Sequence, residues 1–243
     1  MRSRLARLLL LAALMLVIGV LAVPGVAGAA PNHTTSLTAK SMNSTITWGR
    51  YTILTATLMD TTTTTALGGQ FVDVEWSPTG LSGSWKLLAT VTTDSSQYTT
   101  GQYAMVVYPT MKTYYRFLYL GGGGYAPADP SETLVILVRP ALGVPKVPSS
   151  AKVNKSFTVS GSLKPHFPAG DKTVKLTAYR YKGSKWVEYK SYKAINADNG
   201  SYTKYSLSLK ISQKGKYRFK ASTAATAQFS AATTANSASF QVK

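Results

Sequence analysis

The stretch that decides the fold consists of KTVKLTAYRY (172–181), KWVEYKSYKA (185–194), GSYTKYSLSLK (200–210) and KGKYRFKAS (214–222). Each piece alternates apolar with polar residues, and Gly, Asn and Ser punctuate the joints. Successive side chains on a strand point to opposite faces, so a period of two over short runs is the pattern of half-buried antiparallel strands. With Val174, Leu176 and Ala178 inward, Lys175, Thr177 and Tyr179 point outward. With Tyr217, Phe219 and Ala221 inward, Lys216, Arg218 and Lys220 form an outward basic row.

Outside this stretch the same pattern recurs at an offset near 102 residues. Val72, Val74 and Trp76 fall on Val174, Leu176 and Ala178, and Tyr115-Arg116-Phe117 falls on Tyr217-Arg218-Phe219. Trp85 falls one residue off Trp186, and residues 54–58 (LTATL) lie near residues 159–163 (VSGSL). Strands are expected near 35–40, 51–58, 71–77, 85–92, 101–108, 113–120 and 133–139. In the second copy they are expected near 142–146, 156–163, 172–181, 185–194, 201–211, 216–222 and 237–243. Short strands at this density, with no helical periodicity beyond the N-terminus, predict an all-β protein of two tandem immunoglobulin-like β-sandwich domains. The expected division is residues 30–139 for the first domain, 140–150 for a stiff linker rich in Pro, and 151–243 for the second domain. Residues 61–65 and 121–124 read as loops, a Thr tract and a Gly tip.

The N-terminus has its own logic. MRSRLAR is a short basic segment, residues 8–23 are apolar and uncharged, and Pro24-Gly25 precedes Ala27-Gly28-Ala29. Residues 1–29 are thus expected to be an export signal peptide cut after Ala29, because the apolar run is shorter than the roughly 20 residues that span a bilayer. The mature protein is expected to be secreted, with no transmembrane segment and with noncovalent association to the cell envelope at most. Cysteine is absent, which removes disulfides, thiolate nucleophiles and thiolate metal ligands.

The net charge of +18 is unevenly distributed. Residues 31–139 balance Lys40, Arg50, Lys86, Lys112, Arg116 and Arg139 against Asp60, Asp73, Glu75, Asp94, Asp129 and Glu132. Residues 140–243 carry 18 basic residues against Asp171, Glu188 and Asp198, for a net +15. The excess belongs to one domain and calls for a local explanation.

Residues 153–181 (VNKSFTVSGSLKPHFPAGDKTVKLTAYRY), the following Lys185-Trp186 and KGKYRFKA together resemble the bacterial Ig-like repeats of secreted and surface proteins of actinobacteria and their relatives. The first copy resembles the neighbouring repeat type, with Trp48-Gly49, LTATL (54–58), GQFV (69–72), a mid-domain Trp and PTMKTYYRF (109–117). The resemblance covers residues 35–243 and implies the sandwich fold. For function it implies spacer, adhesive or accessory modules, and the expectation here is that no enzyme domain is attached, unlike in many relatives.

The inventory for catalysis is thin. His33 follows the expected cleavage site in a segment expected to fray, and His166 sits in the turn Lys164-Pro-His-Phe-Pro168. Asp73 and Glu75 form the one local carboxylate pair, and their i, i+2 spacing places both outward on one strand. A glycosidase dyad would need a partner from Asp60, Asp94 or Asp129 across a cleft. No GxSxG, HExxH, Walker or dinucleotide signature occurs, nor the clustered acids of a calcium loop. The expectation is a protein that is not an enzyme and holds no metal or cofactor. Trp76 is expected in the core, and Trp85 and Trp186 as half-buried plugs after a hairpin turn.

A sandwich of this kind places the third and sixth strands of the second domain in one sheet. Lys175, Tyr179, Tyr181, Lys216, Arg218 and Lys220 should then share an outer face, with Lys204 and Lys210 on the exterior of the opposite sheet. Such a face attracts polyanions in a salt-dependent way. The expected partner is an anionic cell-wall polymer or acidic polysaccharide, and other surface proteins remain open as partners. Nucleic acid is disfavoured by export and by the lack of any recognised binding motif. The alternative function is a secreted accessory or carbohydrate-active factor using the carboxylates and Trp of the first domain. A purely solubilising role for the Lys residues is the competing reading of the charge.

Overall fold

The computed structural model describes residues 31–243. The expected signal peptide, residues 1–29, lies outside the described residues. No helix among the described residues is long and apolar enough to cross a membrane.

The chain is all-β. In its first half the strands are β1 (Thr35–Ser41), β2 (Thr45–Thr47), β3 (Thr52–Asp60), β4 (Thr65–Ala66), β5 (Phe71–Ser77), β6 (Lys86–Thr92), β7 (Gln102–Val107), β8 (Thr113–Leu118) and β9 (Leu134–Arg139). β3 pairs with β1 on one side and with β4 and β7 on the other. The facing sheet runs β2-β9-β8-β5-β6, with β2 parallel to β9. Leu54, Leu58, Val72, Val74, Phe117, Ile136 and Val138 are fully buried, on the alternate positions that the period of two dictates. Burying each such side chain contributes about 1.5–3 kcal/mol.

The second half continues with β10 (Ala141–Leu142), β11 (Ser150–Ala151), β12 (Ser156–Lys164), β13 (Thr173–Lys182), β14 (Lys185–Asn199), β15 (Tyr202–Lys210), β16 (Gly215–Thr223), β17 (Ala232–Thr233) and β18 (Phe240–Val242). Its strands form one path, β10-β12-β15-β14-β13-β16-β18-β11, with β17 beside β16. β14 makes the path continuous because its first part pairs with β13 and its last residues, from Ile195, pair with β15. In the first half the corresponding chain breaks after β6 at Asp94, whose carboxylate accepts from the Ser96 amide and from the Ser96 and Thr99 hydroxyls and so turns the backbone. The two layers of the second sandwich meet at Phe157 of β12, which packs edge-on against Phe219 and Phe240.

The expected strands have counterparts except the one near 142–146, where only Ala141–Leu142 and an isolated bridge at Lys146 pair, and the short β2, β4, β11 and β17 are additional. They are two or three residues long, too short for a periodic signal. Residues 140–150 do not form a free spacer. Ala141–Leu142 pairs with β12, Lys146 bridges to Ser160, and Ser150–Ala151 pairs in parallel with β18. The two halves also touch, since the Lys112 amide donates to the Gln228 carbonyl and the Ser230 amide to the Val138 carbonyl.

Cross-strand partners refine the internal repeat. Phe117 faces Val74, and Phe219 faces Ala178, so Val74 corresponds to Ala178 and Val72 to Leu176. The correspondence from the offset near 102 is two residues out on this strand. An even shift keeps every side chain on its face, so the inward assignments survive. Trp76, matched to an inward position, is half-buried against the core, and Lys86 Nζ lies 5.7 Å from its ring centre. The match of residues 54–58 to 159–163 holds: Ala56 faces Tyr103 as Gly161 faces Tyr205.

Candidate functional site

The hairpin β13–β14 and strand β16 build the outer face of the second sandwich. Register places Tyr179 opposite Arg218 and Thr177 opposite Lys220, with Lys175 opposite Ser222. On the other side of β13, Lys175 faces Lys193, Tyr179 faces Glu188 and Tyr181 faces Trp186. A bulge between Ala178 and Tyr179 leaves Tyr189 unpaired and sets the tip of the hairpin. Lys175, Tyr179, Tyr181, Lys216, Arg218 and Lys220 are therefore brought together on one face. Lys204 and Lys210 are exposed on β15 of the opposite layer.

The centre of the face is Arg218. Its guanidinium lies 4.3 Å from the Trp186 ring centre and 5.8 Å from that of Tyr179. Lys216 Nζ lies 6.0 Å from the ring of Tyr181, which in turn sits 5.3 Å from Trp186. Cations over aromatic faces are attracted by the ring quadrupole, which fixes the side chains without neutralising them. The Arg218 Nε is buried and has no hydrogen-bond partner. Among the described residues, the ion pairs within 4 Å are Arg116–Glu75 and the contacts His33–Asp60 and His166–Asp198, so none involves this face. Its one carboxylate, Glu188, accepts from the Ser191 hydroxyl at 3.1 Å. Lys175 and Lys193, directly opposite one another, line a hollow of about 250 Å³ with Tyr192 and Ser222. Like charges in direct cross-strand register destabilise a sheet.

The first sandwich repeats the frame with other chemistry. Arg116 stacks on Trp85 at the same 4.3 Å, and a bulge follows Val74 as one follows Ala178. Here Arg116 Nε donates to Glu75 Oε2 at 2.7 Å. Trp85 and Trp186 are half-buried, as the plug reading expects, yet each also carries an Arg on its ring. Sequence reasoning left Trp186 and Lys193 out of the site. The signal for them was the hairpin register, which the bulge obscures.

The remaining candidate groups are held locally. Asp73 accepts from Thr90 and faces Leu118, and Glu75 is held by Arg116, so neither has a second carboxylate as a cross-strand neighbour. His33 does not fray: its Nδ1 donates to Asp60 Oδ2 at 2.8 Å and its ring sits 5.3 Å from Tyr125. Asp60 is buried at the end of β3, where the Thr tract encloses it through the Thr62 and Thr63 amides and the Thr63 hydroxyl. These groups, the Thr63 hydroxyl foremost, outweigh burial and hold its carboxyl at about 2. His166 Nε2 bonds Asp198 Oδ1 at 2.9 Å in an exposed turn and so lowers that carboxyl. Among the described residues, no group of three or more His, Asp or Glu side chains could hold a metal ion.

No family model matches the chain, and no curated protein matches it. Among solved structures, it is similar to red sea bream transglutaminase at 12% identity and TM-score 0.40, over 85% of this chain and 31% of that one. It is similar to Escherichia coli alpha-2-macroglobulin activated by porcine elastase at 12% identity and TM-score 0.30, over 86% of this chain and 20% of that one. The chain thus spans less than a third of the length of either. Likenesses this distant say nothing of its activity.

Proposed function

We propose that the protein is an exported, non-catalytic binding protein of the cell envelope, of the bacterial Ig-like repeat kind. In this reading the second sandwich holds an anionic extracellular polymer on its outer face. The observation that carries it is Arg218, a cation set against two aromatic rings with a buried, unbonded Nε, at the position where the first sandwich neutralises Arg116 with Glu75. A charge left without its carboxylate inside a preordered aromatic frame is costly unless an external anion completes it. The flanking Lys175, Lys193, Lys216 and Lys220 add a field that gathers polyanions and weakens with salt. The basic leader-like N-terminus supports export, and Glu75, one half of the local carboxylate pair, is ion-paired to Arg116.

The test is cosedimentation of the full mature chain with purified bacterial envelope across a salt series, beside Lys216→Glu/Arg218→Glu/Lys220→Glu. Salt-releasable sedimentation that the triple variant lacks supports the reading. Equal sedimentation of both proteins, or none at low salt, overturns it.

A further inference from the structure

On the opposite layer of the second sandwich lies a trough that the outer face does not use. Its volume is about 560 Å³. The floor is the outward side of β12, where Ser160 and Ser162 are small enough to leave it deep. Lys146 stands on one wall, Lys204 and Tyr202 on the other, and Lys164 closes an end. No carboxylate lines it, and none of the three lysines has an ion-pair partner among the described residues.

The wall carrying Lys146 is held in place by the core. The Tyr205 ring is fully buried against Gly161, where an added Cβ would lie 2.2 Å from its hydroxyl oxygen. From there the Tyr205 hydroxyl donates to the Gly143 carbonyl at 2.7 Å. Backbone bonds from Gly143 N to Ser162 O (2.8 Å) and from Lys146 N to Ser160 O (2.7 Å) complete the seam. Two of the three lysines are not required by the fold. By strand register the first sandwich has Met59 where the second has Lys164, and Gln102 where it has Lys204.

We infer that this trough is a second anion site, separate from the Arg218 face, and that it takes phosphoryl groups. Ammonium groups donate three hydrogen bonds and accept none, so the occupant must offer acceptors and negative charge. The lysines stand on three sides. A tetrahedral oxyanion directs its oxygens to all of them, whereas the lone pairs of a carboxylate lie in one plane. The same chemistry arrives as free phosphate or as a phosphate-bearing chain. With both sites filled, one sandwich would hold two stretches of polymer on opposite faces.

The experiment is calorimetric titration of the full mature chain with inorganic tripolyphosphate and, separately, orthophosphate, with backbone NMR shifts of Ser160 and Ser162 followed in parallel. The variants are Lys164→Gln/Lys204→Gln for the trough and Lys216→Gln/Arg218→Gln/Lys220→Gln for the face, each checked for unchanged thermal unfolding. The trough variant should weaken tripolyphosphate binding roughly tenfold or more and silence the Ser160 and Ser162 shifts. The face variant should keep those shifts. Orthophosphate moving the same amides identifies a pocket for the free ion, and tripolyphosphate alone doing so identifies a polymer groove. Unmoved Ser160 and Ser162 amides in the wild type, or binding unaltered in the trough variant, overturns the inference. A face variant without effect beside a trough variant that loses binding would sink only the reading of the Arg218 face.

Discussion

The long sheets of the two sandwiches present the same frame and different surfaces. Both keep an Arg stacked on a hairpin Trp at 4.3 Å, and both place a bulge one residue before the Arg-facing position. Around that shared frame Glu75 becomes Tyr179, Leu118 becomes Lys220, Tyr114 becomes Lys216, Phe71 becomes Lys175 and Thr92 becomes Lys193. The first face is apolar at its rim, with Phe71 and Leu120 each 71% exposed, and has an ion pair at its centre. The second is cationic, and no carboxylate pairs with its Arg. The stack therefore belongs to the fold, and the unneutralised charge belongs to the second copy.

Transplanting the carboxylate breaks this comparison most directly. Tyr179→Glu should close an ion pair onto Arg218 as Glu75 does onto Arg116, and lower envelope binding by roughly tenfold or more. The reciprocal Glu75→Tyr should free Arg116 without creating binding, because Leu118 and Tyr114 bring no charge. Retention of full envelope binding by Tyr179→Glu in the cosedimentation assay would show that Arg218 is not the centre of the site.

One difference between the cores is a single methyl group. Ala56 in the first sandwich leaves Tyr103 half-buried, whereas Gly161 lets Tyr205 lie fully inside. Gly161→Ala should cost about 1–3 kcal/mol by forcing that ring to move. Ala56→Gly should cost only about 0.5–1 kcal/mol, the usual penalty of Gly within a strand. Denaturant unfolding of both variants measures the difference, and equal costs would mean that Tyr205 has room to shift.

One device is common to both copies. Ser131 Oγ accepts from the Phe117 amide and Ser237 Oγ from the Phe219 amide, each at 2.9 Å, and each serine amide donates back to the carbonyl of the same Phe. Ser131→Ala and Ser237→Ala should each cost about 1–3 kcal/mol, since each leaves a buried amide unbonded. Thermal unfolding that gives clearly unequal shifts would weaken the repeat relation.

The strands were legible because a period of two survives small errors of alignment. The inward positions of β5 and β13 were right although the matched residues were two apart. The shared face of Lys175, Tyr179, Tyr181, Lys216, Arg218 and Lys220 was legible for the same reason. Trp186 and Lys193 were not, because the extra residue in the bulge changes which side of β14 meets β13. The pairing of Ser237 with Phe219 spans a loop whose length differs between the copies, and nothing in the local sequence marks it. The role of the Thr tract at 61–65 depends on His33 and Asp60, 27 residues apart, meeting at a strand end.

The last contrast concerns acid. Asp60 is only 2% exposed, whereas Asp171, Glu188 and Asp198 of the second sandwich are all exposed. Its folded value of about 2 lies below its ordinary 3.8, so between these values the unfolded chain binds more protons. The stability Asp60 contributes is therefore complete above about pH 4 and is lost as pH falls toward about 2. Asp60→Asn should remove that contribution, lowering stability at neutral pH and flattening the acid limb. Regional hydrogen exchange from pH 5 to 2 should show the loosening first around β3 and the Thr tract. If the second sandwich opens first instead, the charges repelling one another on its outer face outweigh the loss of the Asp60 cap.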